Sequence, residues 1–209
     1  MEIAETTREI VAAIQGLGPS PKRRFIAIGG PPASGKSTLA AHVRDAMNAC
    51  EMPCGLVAMD GFHLDNDTLR RDGLLAKKGA PDTFDVRGFV SLLDQIAQQD
   101  PVDVPIFDRT RDRVVAAGDQ IVPAHRHVVV EGNYLFLDAP PWRELSRFWA
   151  LCVFVAPPIE ALQARLYQRW IDQGLSPEAA KDRADSNDLP NARYVLTHSA
   201  VPSPCLRFG

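Results

Sequence analysis

The chain has 209 residues, 45% of them hydrophobic and 23% charged, with a formal net charge of −3. That length suits one α/β domain, or one domain with a small lid, whose core needs no disulfide or metal to hold it. The slight acidity speaks against broad nucleic-acid binding, which leaves a basic footprint, and no apolar run approaches the roughly 20 residues of a membrane span.

The opening segment carries acids where a signal peptide would carry a basic and then an apolar region. Ile3, Ile10 and Ile14 can share one helix face, closed by Gly16 and the Gly18-Pro19 pair. "RFIAIGG" is a short apolar strand stopped at paired glycines. "SGKSTLAAHVRDAMNA" has helical spacing, with Leu39, Val43 and Met47 stepping by four, and "CGLVAMD" is a second strand. Residues 61–85 are polar and charged, a long loop with a short helix inside, and loops of that length usually carry function. "VRGFVSLLDQIAQQ" is an amphipathic helix. "VPIFDRTRDRVVAAGDQIVP" predicts extended segments around a turn at Ala117-Gly118-Asp119.

"HVVVEGNYLFL" and "FWALCVFVAPP" hold two continuous apolar strands, the second stopped by prolines. "PIEALQARLYQRWIDQG" is a helix with Ile159, Leu162, Leu166 and Trp170 on its apolar face, and the following stretch gives one or two helices broken at Pro190. Pro202 and Pro204 suit an edge strand or loop at the C-terminus. Cys50, Cys54, Cys152 and Cys205 are too few and too scattered for a disulfide framework and read as reduced thiols. Strands alternating with helices, several apolar throughout, predict a mainly parallel sheet covered on both faces, a three-layer α/β/α fold. In such sheets ligands bind at the carboxyl ends of the strands.

Gly30 to Thr38, "GPPASGKST", fits G-x-x-x-x-G-K-[ST] between a predicted strand and a predicted helix, the setting that motif requires. Gly30, Ala33, Ser34, Gly35 and Thr38 belong to a loop whose backbone N–H groups can turn inward around phosphate oxygens at a helix N-terminus. Lys36 would neutralise the β- and γ-phosphates of ATP, and Ser37 would hold Mg²⁺. Asp60 and Glu131, each just after an apolar strand, would reach the same crevice. From position alone either could bind Mg²⁺, accept a proton from an attacking hydroxyl, or simply cap a turn.

The ordered set "GPPASGKST", "MDGFHLDN", "GAPDTFD", "VPIFDRTRD" and "VVVEGNYL", with Arg165 and Arg169 on one later helix, resembles the phosphoribulokinase/uridine kinase/bacterial pantothenate kinase family of P-loop kinases. "DGFH" and "EGNYL" are most similar to its small bacterial fructose-transport-associated, nucleoside-kinase-like branch. The resemblance spans roughly residues 24–197. It implies a P-loop NTPase domain with a small helical lid at about 160–187, and transfer of the γ-phosphoryl of ATP to an alcohol on a small molecule. It assigns Asp60 as general base and Glu131 to the Mg²⁺ shell. It also implies that Arg165 and Arg169 come from the lid, Arg169 being the stronger candidate and Arg183 a weak third. His63, Asp108, Arg109, Asn133 and Tyr134 are then the expected acceptor contacts, Asp108 foremost, with Asp82, Phe84 and Asp85 nearby; His63 reads equally as a turn histidine and Tyr134 equally as a core residue.

Few aromatics stand where a base would stack, which favours a sugar or similar polyol over a nucleoside, with uridine, another nucleoside or pantothenate as the alternative acceptors. Arg111 and Arg113 could meet an anionic substrate such as a sugar phosphate, but alternating with acids they read first as a solvated, salt-bridged strand face. A guanine-reading Asn-Lys-x-Asp is absent, since no Asn-Lys pair occurs. A non-catalytic nucleotide-binding regulator is the remaining alternative of another class. The expected setting is the cytoplasm, with no nucleic acid or membrane insertion, and a homodimer is compatible with the pattern.

Overall fold

The computed structural model describes residues 2–209. Successive side chains of a strand point to opposite faces, and in β1 (Arg24–Gly29) both sets are buried. Phe25 and Ala27 join one core cluster, Ile26 and Ile28 the other. The same division runs through β5 (His127–Gly132) and β6 (Trp149–Val155). These strands read as unbroken apolar runs because each is covered twice.

With β2 (Cys54–Ala58) and β7 (Cys205–Phe208) they form a five-stranded sheet in the order β2-β5-β1-β6-β7, every pairing parallel. On one face, Ile10 and Ile14 of α1 (Ile3–Gly16) pack with Leu39, Val43 and Met47 of α2 (Lys36–Ala49). On the other lie Phe89, Leu93 and Ile96 of α4 (Val86–Gln98), which follows the short α3 (Asn66–Arg71), together with Val195 from α7 (Leu189–His198). Each fully buried Leu, Ile or Phe contributes about 1.5–3 kcal/mol, so the two cores dominate folding. No helix among the described residues is long and apolar enough to cross a membrane.

Two local expectations need correction. β3 (Val102–Asp108) and β4 (Arg113–Ile121) form a separate antiparallel hairpin whose turn lies at residues 109–112, not at Ala117-Gly118-Asp119. Asp108 caps that turn by accepting from the N–H groups of Thr110 and Arg111, both at 3.0 Å, and Asp112 takes the left-handed conformation at φ 50°. Gly118 instead sits in a bulge opposite Pro105, where the register shifts.

The helical C-terminal stretch also does not break at Pro190. α5 (Ile159–Asp172) is followed by α6 (Pro177–Arg183), which continues through a π-turn (Ala184–Asp188) directly into α7, with Pro190 in the first turn of α7. Proline lacks an N–H and crowds the preceding turn. Widening that turn accommodates the ring without ending the helix.

Candidate active site

The phosphate loop leaves β1 at Gly29 and enters α2 at Lys36. Gly35 is left-handed at φ 93°, and a Cβ on Gly30 would lie 2.2 Å from the Val155 carbonyl oxygen, so the loop's path requires both glycines. No side chain caps the start of α2, which leaves its first N–H groups free for an anion. Ser34 Oγ is buried within the loop and has no hydrogen-bond partner among the described residues.

Glu131 sits between the two strands that matter. In register it lies beside Ile28 of β1, just before the loop, and beside Ala58 of β2, just before Asp60. Its carboxylate accepts from Ser37 Oγ at 3.0 Å and is buried. Burial pushes its pKa up, opposed by the Lys36 ammonium and the Ser37 bond and reinforced by the negative charge of Asp60. The structure thus brings Lys36, Ser37, Asp60 and Glu131 to one sheet edge, where two acids and a cation feel each other's charge.

Asp60 lies in a tight turn, Met59–Phe62, just beyond β2. Its Oδ2 accepts from Arg109 Nη2 at 2.5 Å, and its Oδ1 faces His63 Nε2 at 4.0 Å. His63 stacks on Phe84, ring centroids 4.1 Å apart, and leans on Phe107 at 4.8 Å. Burial, with help from the Lys78 and Arg109 charges, lowers the His63 pKa to about 4, so it is neutral at physiological pH. Its Nδ1 is buried without a partner among the described residues, as is Asn133 Oδ1.

Other expected residues are placed differently. Tyr134 is fully buried among Phe84 and Trp142, and its hydroxyl donates to the Gly79 carbonyl at 2.5 Å, so it is a core residue and not an acceptor contact. Asp108 caps its own turn through Oδ1, while its Oδ2 faces Arg111 at 3.7 Å. Asp82, Phe84 and Asp85 line a cavity of about 410 Å³ with Leu64, Trp142 and Tyr194, and none of Lys36, Asp60 or Glu131 reaches it.

Of the two arginines, Arg165 is the one that touches the phosphate loop. Arg165 Nη1 donates to the carbonyls of Ala33 and Ser34 at 3.3 Å each, whereas Arg169 lies against the Trp170 ring, with Arg183 also stacked on that ring.

Sequence reasoning missed Lys78. Its Nζ donates to Asn66 Oδ1 at 2.8 Å and Asp112 Oδ1 at 2.7 Å, and it lies over the Phe107 ring. In a charged loop such a lysine carries no local mark that separates it from solvated surface.

No protein-family model matches the chain. An Escherichia coli protein, "Uncharacterized protein YggC", is 36% identical, the match covering 91% of this chain and 79% of that protein. "Putative uridine kinase C227.14" of Schizosaccharomyces pombe is 31% identical over 89% of this chain and 83% of its own length. Among solved structures, a "putative fructose transport system kinase" from Silicibacter sp. TM1040 superposes with a TM-score of 0.92 at 40% identity, covering 100% of both chains.

Proposed function

The chain belongs to the phosphoribulokinase/uridine kinase/bacterial pantothenate kinase family of P-loop kinases and is an ATP-dependent phosphotransferase acting on a small molecule, and from that premise we propose that its acceptor is a neutral, sugar-like alcohol, with fructose or a related sugar as first candidate. The convergence of Ser37, Glu131 and Asp60 beside the phosphate loop supports the phosphoryl transfer, and the observation that carries a neutral acceptor is that Arg109, Lys78 and Arg111 are each already paired with an acid.

ATP and Mg²⁺ fit the residues present. The free helix N-terminus and the partnerless Ser34 hydroxyl suit phosphate oxygens. A hydroxyl beside a carboxylate, Ser37 with Glu131, is the hard oxygen pair that Mg²⁺ takes when phosphates complete its shell. Bound there, Mg²⁺ would neutralise charge on the phosphates. Asp60 Oδ1, the oxygen not held by Arg109, accepts the acceptor's hydroxyl proton; the alkoxide oxygen bonds to the γ-phosphorus as the β,γ-bridging oxygen leaves with ADP. Lys36 balances the triphosphate. Arg165 steadies the loop, and Arg169 reaches the phosphates only if the lid, about 160–187, closes within this single domain.

A sugar is favoured over a sugar phosphate because the cations around Asp60 are already paired. Arg109 holds Asp60 itself, Lys78 holds Asp112 and Arg111 faces Asp108. Two buried polar atoms on the segments after β2 and β5 lack a partner among the described residues, and both belong to neutral groups: His63 Nδ1 and Asn133 Oδ1. A nucleoside is disfavoured because Phe84 and Phe107 already pack on His63. On this reading the reaction runs in the cytoplasm.

The test incubates the protein and Mg·ATP with fructose, other hexoses, uridine, pantothenate and a pentose phosphate, and measures ADP released only with acceptor. A free sugar should stimulate most. Stimulation by uridine, pantothenate or the sugar phosphate, with none by free sugars, would overturn the acceptor assignment.

A further inference from the structure

We propose that Asn187 is a positioning residue through which the phosphate loop sets the loop of residues 75–83, which Lys78 ties to the hairpin tip, so that a bound nucleotide orders the acceptor side of the site before any acceptor arrives. This rests on the kinase reading above.

Asn187 is buried at 6% exposure in the π-turn. Its Nδ2 donates to the Lys78 carbonyl at 2.9 Å, and its Oδ1 accepts from Asn191 Nδ2 at 3.3 Å, which fixes the amide's orientation. Lys78 and Gly79 are a junction. The Lys78 ammonium ties the hairpin tip at Asp112 to Asn66, the Gly79 carbonyl accepts from Tyr134 and the Gly79 N–H donates to Thr83 Oγ1 at 2.9 Å. Lys78 also faces His63, lowering its pKa. Of these anchors, only the Asn187 bond comes from the lid helices.

The π-turn is in turn clamped to α5. Asp185 accepts from the Tyr167 hydroxyl and Asp188 from Trp170 Nε1, both at 2.7 Å. Leu166, Ala184 and Leu189 form a small core that Ala33 of the phosphate loop packs against, and Arg165 on the same helix bonds the loop's carbonyls. A continuous set of contacts therefore runs from Ala33 through α5 and the π-turn to Lys78. A shift of the phosphate loop on filling would move α5, and Asn187 would carry that movement to Gly79. Continuity alone is not coupling, so the test reads coupling directly.

Amide hydrogen exchange is followed on the full chain with and without Mg²⁺ and the β,γ-imido analogue of ATP. In the wild type the analogue should slow exchange at residues 30–38 and, by about 5-fold or more, at residues 75–83. In Asn187→Ala and Asn187→Asp the first effect should stay and the second vanish. The aspartate variant keeps the volume and decides the matter if the alanine variant does not fold. Tyr134→Phe removes a different anchor of the same loop; it should quicken exchange there while the analogue still slows it.

Slowing at 75–83 that survives in the Asn187 variants would overturn the proposal, and so would its absence from the wild type. A merely structural Asn187 would raise exchange equally with and without the analogue. No protection at 30–38 in the wild type would instead strike the kinase reading, and the proposal with it.

Discussion

Asp60 keeps one oxygen for Arg109 and turns the other toward His63. If that free oxygen takes the acceptor's proton, Asp60→Asn should lower turnover by roughly 10²–10⁴-fold while titration with an ATP analogue gives nearly the wild-type affinity. Equal loss of both would make Asp60 a metal or structural residue. His63 makes a second prediction, about pH. Its folded pKa of about 4 lies below the ordinary value of 6.5, so the unfolded chain binds more protons between those limits. His63 therefore gives its full contribution to stability above pH 6.5, and that contribution falls away as pH drops toward 4, by roughly 3 kcal/mol in all. Urea denaturation at pH 7 and pH 4.5 should show this decline in the wild type and a smaller one in His63→Phe.

Between elements, the turn after β2 and the β3–β4 hairpin touch backbone to backbone. A Cβ on Gly61 would lie 2.2 Å from the Pro105 carbonyl oxygen, and neither side can yield as a flexible side chain would. Gly61→Ala should push the turn and the hairpin apart, moving Asp60 and Arg109 relative to each other. A displacement near 1 Å costs on the order of 10²-fold in rate, which steady-state kinetics would detect as a fall in turnover with nucleotide affinity preserved. The same hairpin shows where local signals mislead. "AAGD" has the composition of a turn, yet the chain reverses at "RTRD", because Asp108 can cap its own successors and Asp112 tolerates a left-handed backbone. The strands β1, β5 and β6 were legible because two-sided burial writes itself as unbroken apolar runs, and the phosphate loop because its chemistry is local. Asn187 and Lys78 were not, since they meet across 109 positions and neither has a pattern of its own.

At the scale of the whole molecule, the site occupies the carboxyl ends of the parallel strands while Arg23 secures the opposite end. Its buried guanidinium donates to the carbonyls of Ile96, Val122 and His125 and to Asp100 Oδ1, joining the end of α4 to the β4–β5 connection. Arg23→Ala would leave three carbonyls without their donor and release the partly exposed Asp100, and denaturant unfolding should register a loss of roughly 1–3 kcal/mol, with turnover of the folded fraction unchanged because the site is remote. The order of the sheet has a bearing on biosynthesis. Arg24 to Gly29 are flanked only by residues 127–132 and 149–155, so the strand that launches the phosphate loop leaves the ribosome long before either neighbour exists. Until then the emerging polypeptide carries the loop's letters without its shape, and its greasiest early segment stays unsheltered, a window in which a chaperone has most to offer.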